Sequence, residues 1–356
     1  MTKPKHFLVA ALDWGLGHAT RSMVVINALL KNGHKVSIAG NGQSLELLKQ
    51  EYPNLDCHEL ESYDVKYSSS GLFMLNILWQ LPKFLRTIQR EHQQVEQLQS
   101  KYKFDGVISD NRYGCWLNHV PSVLITHQLN IQLTGLLKLF QSILNYFNHR
   151  SINKFTFCWV PDFRANRITG KLTDTDNSNV RFIGMLSRFQ KQEIEIAQDM
   201  ILGIVSGPEP QRTIFENLLV EGMKKQENGC VIVRGIPDGA TRPDDQITFI
   251  NHLSTDKLNR LIEQAGVVVS RSGYSTIMDL AALEKKQVIF VPTPGQTEQE
   301  YLANELDKSK VALSVSQTKF ELSTALEKVK QYKGFASNNV PSNLLPIALN
   351  EFIGVS

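Results

Sequence analysis

An α/β fold of two doubly wound domains is predicted for this chain, on three observations. Short apolar runs alternate with helical patterns in both halves, the order that builds a parallel sheet covered by helices. The runs end in loops rich in Gly, Ser, Pro and polar residues, at the strand ends where open parallel sheets bind ligands. A length of 356 residues is long for one core and suits two domains.

The pattern is sharpest from Gly266 to Asn304. Val267 to Val269 has the all-apolar character of a buried parallel strand and stops at Ser270-Arg271-Ser272-Gly273. A helix follows with Ile277, Leu280, Ala281 and Leu283 on one face. A second strand, Gln287 to Val291, ends at Pro292-Thr293-Pro294-Gly295, and another helix carries Glu298, Gln299 and Asn304. Ser272, Gly273, Ser275 and Thr276 sit where a helix begins, so unpaired N–H groups and small hydroxyls can face a phosphate. The helix dipole adds roughly 0.3–1 kcal/mol for an anion there. Asp279, one turn on, is within reach of a diol such as ribose. A capped helix without a ligand is the other reading of the same residues.

At the N-terminus, His6 to Leu12 reads as a strand and Asp13-Trp14-Gly15-Leu16-Gly17-His18 as its loop. A helix follows to Lys31, with Gly33 suited to stop it, and Lys35 to Ala39 is the next strand. The third glycine of the dinucleotide fingerprint is missing, and no acid ends the second strand. His18, at a strand-to-helix turn, is either a hydrogen-bonded loop residue or a proton acceptor working near neutral pH. Gly71 to Lys101 reads as two helical pieces broken near Pro82. Phe104 to Ser109 is a strand ending at Asp110, which either caps a turn or orients His18. Ser122 to Thr126 is a strand followed by His127-Gln128-Leu129-Asn130.

Leu133 to Phe155 is an amphipathic helical region, read as covering a sheet, with a membrane surface as the alternative. Trp159 to Asp162 is a short strand, and Gly170 to Asn179 is polar and turn-rich. Asp174-Thr175-Asp176 has the form of a metal–nucleotide motif, but a loop precedes it in place of a buried strand, so it reads as solvated. Arg181 to Gly184, Ile201 to Ser206, Cys230 to Arg234 and Ile247 to Ile250 continue the strands. Pro210 opens a helix in which Arg212 keeps a cation near the loop. Thr318-x-x-Glu321 reads as a capping box, and Asn343 to Phe352 as a short apolar helix.

Composition narrows the partners. The chain is 42% apolar and 21% charged with a net charge of +3, too little to argue for nucleic acid. Cys57, Cys115, Cys158 and Cys230 are scattered, without Cys-x-x-Cys or a His pair at metal spacing, so no metal and a reduced compartment are expected. No apolar run reaches the ~18–20 residues of a spanning helix. A cytoplasmic protein, in peripheral contact at most with the inner membrane face, is the expectation.

The motifs together resemble glycosyltransferase family 28. Arg271-Ser272-Gly273 with Thr276 resembles its R-S-G-x-x-T segment, and Asp279 stands where the family usually has Glu. Pro292 and Pro294 lead, as in the family, to a helix bearing Gln299 and Asn304. The loop G-x-G-H-x-x-R (Gly15, Gly17, His18, Arg21) resembles the family's N-terminal loop, whose His is proposed as base. It also resembles the loop of UDP-sugar hydrolases of pseudaminic acid synthesis. His127 to Asn130 resembles an H-E-Q-N segment beside the acceptor, and Gly184 to Arg188 resembles a G-N-P-x-R turn into the second domain.

The resemblance covers essentially the whole chain and implies the GT-B arrangement, two Rossmann-like domains facing across a cleft. Residues 1–165 would form the acceptor-side domain, 166–190 a linker, 191–341 the nucleotide-sugar domain, and 342–356 a tail crossing back to the first. The implied function is transfer of a sugar from a nucleotide sugar, UDP-linked, to a hydroxyl of a glycan, lipid or small molecule. It would be inverting and metal-independent, with His18 as base, Asp110 as orienter and no cofactor besides the substrate. Implied donor contacts are Arg188, Arg212, Phe249, Ile250, Ser272, Gly273, Ser275, Thr276, Asp279, Gln296, Glu298 and Gln299. Acceptor-side residues are Gly15, Gly17, His127 and Asn130. Water in place of the acceptor would give a hydrolase, and a nucleotide-sugar-binding protein without turnover is the third reading.

Overall fold

The structure is a computed structural model that describes residues 3–13, 16–63, 73–133, 135–165, 167–227, 229–236, 239–335 and 344–356, the side chains of 73–81 and 135–137 excepted. Among these, the apolar runs become strands and the chain divides into two domains at Leu186/Ser187.

The first domain runs β1 (His6–Ala11), α1 (Leu16–Lys31), β2 (Lys35–Gly40), α2 (Gly42–Glu51), β3 (Asp56–Glu59), α3 (Phe73–Tyr102), β4 (Gly106–Asp110), β5 (Ser122–Ile125), α4 (Gln141–Ile152), β6 (Phe157–Val160) and β7 (Val180–Phe182). All neighbours pair parallel in the order β3-β2-β1-β4-β5-β6-β7. The order reverses between β1 and β4, where Ala11 lies opposite Asp110, which puts a switch point between these two carboxyl ends. α1 buries Met23, Val25, Ile26 and Leu29 on the sheet and stops at Gly33, whose φ of +78° only glycine adopts freely.

The second domain runs β8 (Ala197–Ile204), α5 (Gln211–Met223), β9 (Cys230–Val233), β10 (Ile247–Ile250), α6 (Thr255–Gln264), β11 (Ala265–Ser270), α7 (Tyr274–Ala282), β12 (Val288–Phe290), α8 (Thr297–Lys308), β13 (Leu313–Ser314) and α9 (Leu322–Val329). Its six parallel strands follow the order β10-β9-β8-β11-β12-β13, the same scheme with the reversal between β8 and β11. Ile201, Phe215, Leu219, Val267, Val269 and Ile289 form its core.

The last helix, α10 (Leu345–Val355), belongs to the first domain. Phe352 lies 5.5 Å from Phe7 and 5.9 Å from Trp159, ring to ring, in that domain's core. Gly106 makes room for it, since a Cβ there would stand 2.5 Å from the Phe352 ring.

Four elements differ from expectation. Pro82 lies inside one continuous helix, α3, because losing one N–H is outweighed by packing of Phe84 and Val95 further along; Gly71 and Leu72 lie outside the described residues. Of residues 166–190, expected as a linker, 167–186 fold with the first domain and 187–190 with the second. β7 joins the sheet edge on β6, and the buried Asp162 carboxylate accepts from Thr169 N (2.9 Å) and Thr169 Oγ1 (2.6 Å), knotting the segment into the first domain. The late helix is capped by Glu321 itself, which accepts from Ser323 N and Thr324 N, while Thr318 falls in a short 3-10 turn before it. Asn343 lies outside the described residues, and α10 begins two residues later than its sequence suggests.

Candidate active site

Both sheets present their switch points as polar loop clusters, and the first is the more tightly built. His18 and Arg21, three residues apart, share the α1 face that looks on the end of β4. There Asp110, fully buried, accepts on Oδ1 from His18 Nδ1 (2.7 Å) and from Arg21 Nη2, and on Oδ2 from Arg21 Nε at 2.5 Å. Arg21 Nη1 also donates to His127 Nδ1 at 3.2 Å. A guanidinium can only donate, so His127 Nδ1 must accept, and its proton sits on Nε2. His18 Nδ1 lies 3.1 Å from Arg21 Nη2 as well, but the nearer Asp110 carboxylate oxygen takes its proton: Nδ1–H donates to Asp110, and Nε2 is the lone-pair nitrogen. Among the described residues His18 Nε2 has no partner, and the side chain is 13% exposed.

The electrostatics follow from this geometry. Asp110 resists burial because Arg21 and His18 hold its carboxyl down to about 2. His18 is pushed below the ordinary imidazole value, mainly by burial, with Arg21 and His127 acting in the same direction and Asp110 opposing. The ring is therefore neutral at pH 7, with an available lone pair. Behind it, buried Arg112 donates to Glu91 (2.5 Å), Asn41 (2.7 Å) and the Glu61 carbonyl (2.7 Å), tying the loop after β4 to α3 and the loops after β2 and β3.

Other first-domain candidates are placed differently. Gly17 lies in the first turn of α1, its carbonyl accepting from Thr20 Oγ1 at 3.0 Å; Gly15 lies outside the described residues. Asn130 is a structural staple and not an open acceptor contact. Its amide donates to the Asp174 carbonyl (2.7 Å) and its oxygen meets His149 Nε2 at 3.1 Å. Asp174 itself is exposed and paired with Arg167 at 3.2 Å.

In the second domain, Gly273 caps α7 and a Cβ there would meet nothing within 4 Å, so the helix start is open. Ser275 and Thr276 stand in its first turn, half-buried, and among the described residues neither hydroxyl bonds another residue. Asp279, one turn further, accepts from Ser187 Oγ at 2.6 Å. Burial pushes its carboxyl up to about 6, with Ser187 and the charge of Arg188 pulling the other way. Arg188 donates to Thr255 Oγ1 at 2.9 Å.

Four expected donor contacts, Ser272, Gln296, Gln299 and Arg212, are occupied within the protein. Ser272 is fully buried and its hydroxyl donates to the Gln299 carbonyl (2.9 Å), so it braces the loop instead of facing an anion. The Gln299 side chain accepts from Thr293 N (2.9 Å) and donates to Gln296, rigidifying the Pro292–Gly295 turn. Arg212 is neutralised by Glu209 (2.5 Å) and Glu216 (2.6 Å), and Glu216 also takes Arg234 and Arg242. Phe249 carries Arg242 at 4.8 Å over its ring, Ile250 ends β10, and Glu298 stands half-buried in the first turn of α8.

Two residues that the sequence offers only as members of a motif, with no role of their own, organise the clusters. Arg21 joins His18, Asp110 and His127, and its i+3 spacing from His18 was the signal. Arg271, buried and held to about 10 by desolvation, donates to the Val291, Pro292 and Gln211 carbonyls, tying the loops after β11 and β12 to the start of α5.

Comparison with known proteins agrees with both halves. Residues 243–342 match the glycosyltransferase family 28 C-terminal domain, and residues 8–132 match glycosyl transferase family 1. An uncharacterized glycosyltransferase of Methanosarcina acetivorans is 24% identical over 313 residues, covering 82% of this chain and 79% of its own. The spinosyn rhamnosyltransferase SpnG complexed with thymidine diphosphate superposes with a TM-score of 0.64 at 13% identity, over 98% of this chain and 96% of its own. MurG of Acinetobacter baumannii does so with a TM-score of 0.56 at 15% identity, over 93% of both chains. The structural likenesses fix the fold as GT-B. With a sugar-transferase family model on each domain and a transferase relative along most of the chain, the protein is a glycosyltransferase of the GT-B fold, an enzyme that moves a sugar from a nucleotide sugar, and its second domain is similar to the family 28 C-terminal domain.

Proposed function

We propose that the enzyme transfers the sugar of a UDP-linked donor to an acceptor hydroxyl with inversion, using His18 as base and no metal at the diphosphate. The observation that carries this reading is the His18–Asp110 pair at a sheet switch point, with Nε2 open and the ring neutral. As the acceptor oxygen bonds to the anomeric carbon, its proton passes to His18 Nε2, and the diphosphate leaves with the electron pair of the broken C–O bond. Attack opposite the leaving group inverts the centre. The departing charge is met by the N–H groups opening α7, by Ser275 and Thr276, and by Arg188. His127 lies on the acceptor side, and the acceptor is a glycan, a lipid or a small molecule. Ile250 and Phe249 lie against the base. The thymidine diphosphate bound to SpnG supports a pyrimidine nucleotide, and the likeness to family 28 favours uridine. Four unpaired cysteines fit a cytoplasmic reaction.

The deciding experiment measures nucleotide release from UDP- and dTDP-sugars with and without an acceptor fraction. Release that requires the acceptor is expected, whereas equal release without it makes the protein a hydrolase. Nucleotide sugars should also raise the melting temperature by mass action. If NAD does so and no nucleotide sugar does, the donor assignment is wrong.

Asp279 is proposed to hold the ribose. Ribose hydroxyls donate to the ionised carboxylate, which in the free protein forms only as pH rises through about 6. Donor affinity should therefore strengthen from pH 5 to pH 7. Asp279→Ala should weaken binding by about 1–3 kcal/mol and flatten that dependence. Calorimetry at both pH values checks this, and an unchanged dissociation constant would make Asp279 an ordinary helix residue.

A further inference from the structure

Arg21 touches three titratable side chains at the first domain's switch point. Only 3% exposed, it sets a side-on fork on Asp110, Nε to Oδ2 at 2.5 Å and Nη2 to Oδ1. The same Nη2 stands 3.1 Å from His18 Nδ1, and Nη1 donates to His127 Nδ1 at 3.2 Å. A lysine could not replace these contacts, because only a planar guanidinium offers three nitrogens in one fixed fork.

The charges give the fork its purpose. His18 Nδ1–H donates to a fully buried carboxylate at 2.7 Å. Such a carboxylate, left without another cation, favours a second proton on the neighbouring imidazole, since a buried charge is costly unless it is paired. A ring protonated on both nitrogens only donates and cannot serve as a base. Arg21 supplies the positive charge in its place, so one carboxylate and one guanidinium balance beside a neutral ring. Three groups act on that ring: Arg21 from α1, Asp110 at the end of β4, and His127 on the loop after β5. Burial, Arg21 and His127 push its pKa down and Asp110 pushes it up. The nearest other charges in the chain's loops are engaged elsewhere. Asp13, after β1, accepts from Ser44 N at 2.9 Å, and Arg112, after β4, is held by Glu91 at 2.5 Å.

We infer that Arg21 is the positioning residue of the base: its guanidinium provides the counter-charge of Asp110, leaves His18 free to take the proton of the acceptor, and fixes the tautomer of His127. The inference rests on the reading of His18 as base. The test reads the ring itself by nitrogen-15 NMR of the full chain with labelled histidine, the His18 signal being the one lost in His18→Ala. Beside it, kcat/KM for the acceptor is measured against pH at saturating donor. In the wild type at pH 7, His18 should be neutral with its proton on Nδ1, and His127 should carry its proton on Nε2. In Arg21→Met the titration of His18 should rise by about 1–3 pH units, and the acid limb of kcat/KM should rise with it. Arg21→Met combined with Asp110→Asn removes both charges and should bring the titration back to the wild-type position or below. A merely structural loss would not be reversed by removing the carboxylate. Arg21→Lys keeps the charge and guards against a folding defect; its His18 should still titrate below the ~6.5 of free histidine. A His18 imidazolium in the wild type at pH 7, an unmoved titration in Arg21→Met, or one that stays raised in the double variant overturns the inference. If the ring shifts as expected and the acid limb does not follow, the charge balance stands and the reading of His18 as base falls.

Discussion

Replacing His18 with Ala is expected to cut turnover by about 10²–10⁴-fold while leaving donor affinity nearly intact. The substitution removes Nε2, the nitrogen without a protein partner, and touches none of the candidate donor residues, which belong to the other domain. The pH profile carries the same signature. Burial, Arg21 and His127 lower the imidazole pKa, so the neutral, active ring persists below the ~6.5 of free histidine. In the wild type kcat/KM for the acceptor, measured at saturating donor so that Asp279 does not contribute, should be level near pH 7 and fall ten-fold per unit only below that lowered value. In His18→Ala the acid limb should vanish along with the rate. His18→Gln, closer in size, guards against a folding defect and should be equally slow. Near wild-type turnover in either variant would make His18 a bystander.

How much of this was legible depends on whether a feature is local. The pairing of His18 with Asp110 spans 92 residues, yet it was readable because both end strands that a doubly wound order places side by side. The edge strand β3, Asp-Cys-His-Glu, was not, since a half-solvated edge needs neither an apolar run nor alternation. Periodicity marked α4 as amphipathic but could not say which face turns inward. Its amides take that side because loop N–H and carbonyl groups, rather than apolar side chains, lie beneath it.

The candidate donor site divides the same way. The strand–loop–helix pattern around Gly273 located an open helix start, whereas the orientation of the Ser272 hydroxyl depends on how α8 packs. Arg212 reads as a free cation if only its place beside a loop is considered. Its acids stand at i−3 and i+4, a helical spacing that announces the pairing in the sequence itself.

Asp110 is the residue on which stability and rate should move together. Its two oxygens receive the Arg21 fork and the His18 Nδ1–H with no solvent contact. Asp110→Asn keeps the shape but replaces one acceptor with a donor and leaves the Arg21 charge buried without its counter-ion. Breaking one side of a buried pair costs about 3–5 kcal/mol. The carboxyl titrates at about 2 in the folded protein, below its unfolded value, so its contribution is fully present above about pH 4 and disappears as pH falls through 2. The stability gap between wild type and Asp110→Asn should therefore be constant near pH 7, where His18 is neutral in both, and narrow below pH 4 as Asp110 protonates, measured by denaturant titration. Turnover should fall as well, though less than in His18→Ala, because the imidazole remains and loses only its orientation. The acid limb should move to lower pH, since the carboxylate was raising the His18 pKa. The double variant should be no slower than His18→Ala alone, because Asp110 acts on the reaction through the ring. Additive losses would mean that Asp110 reaches the chemistry by another route, and its role as orienter would be withdrawn.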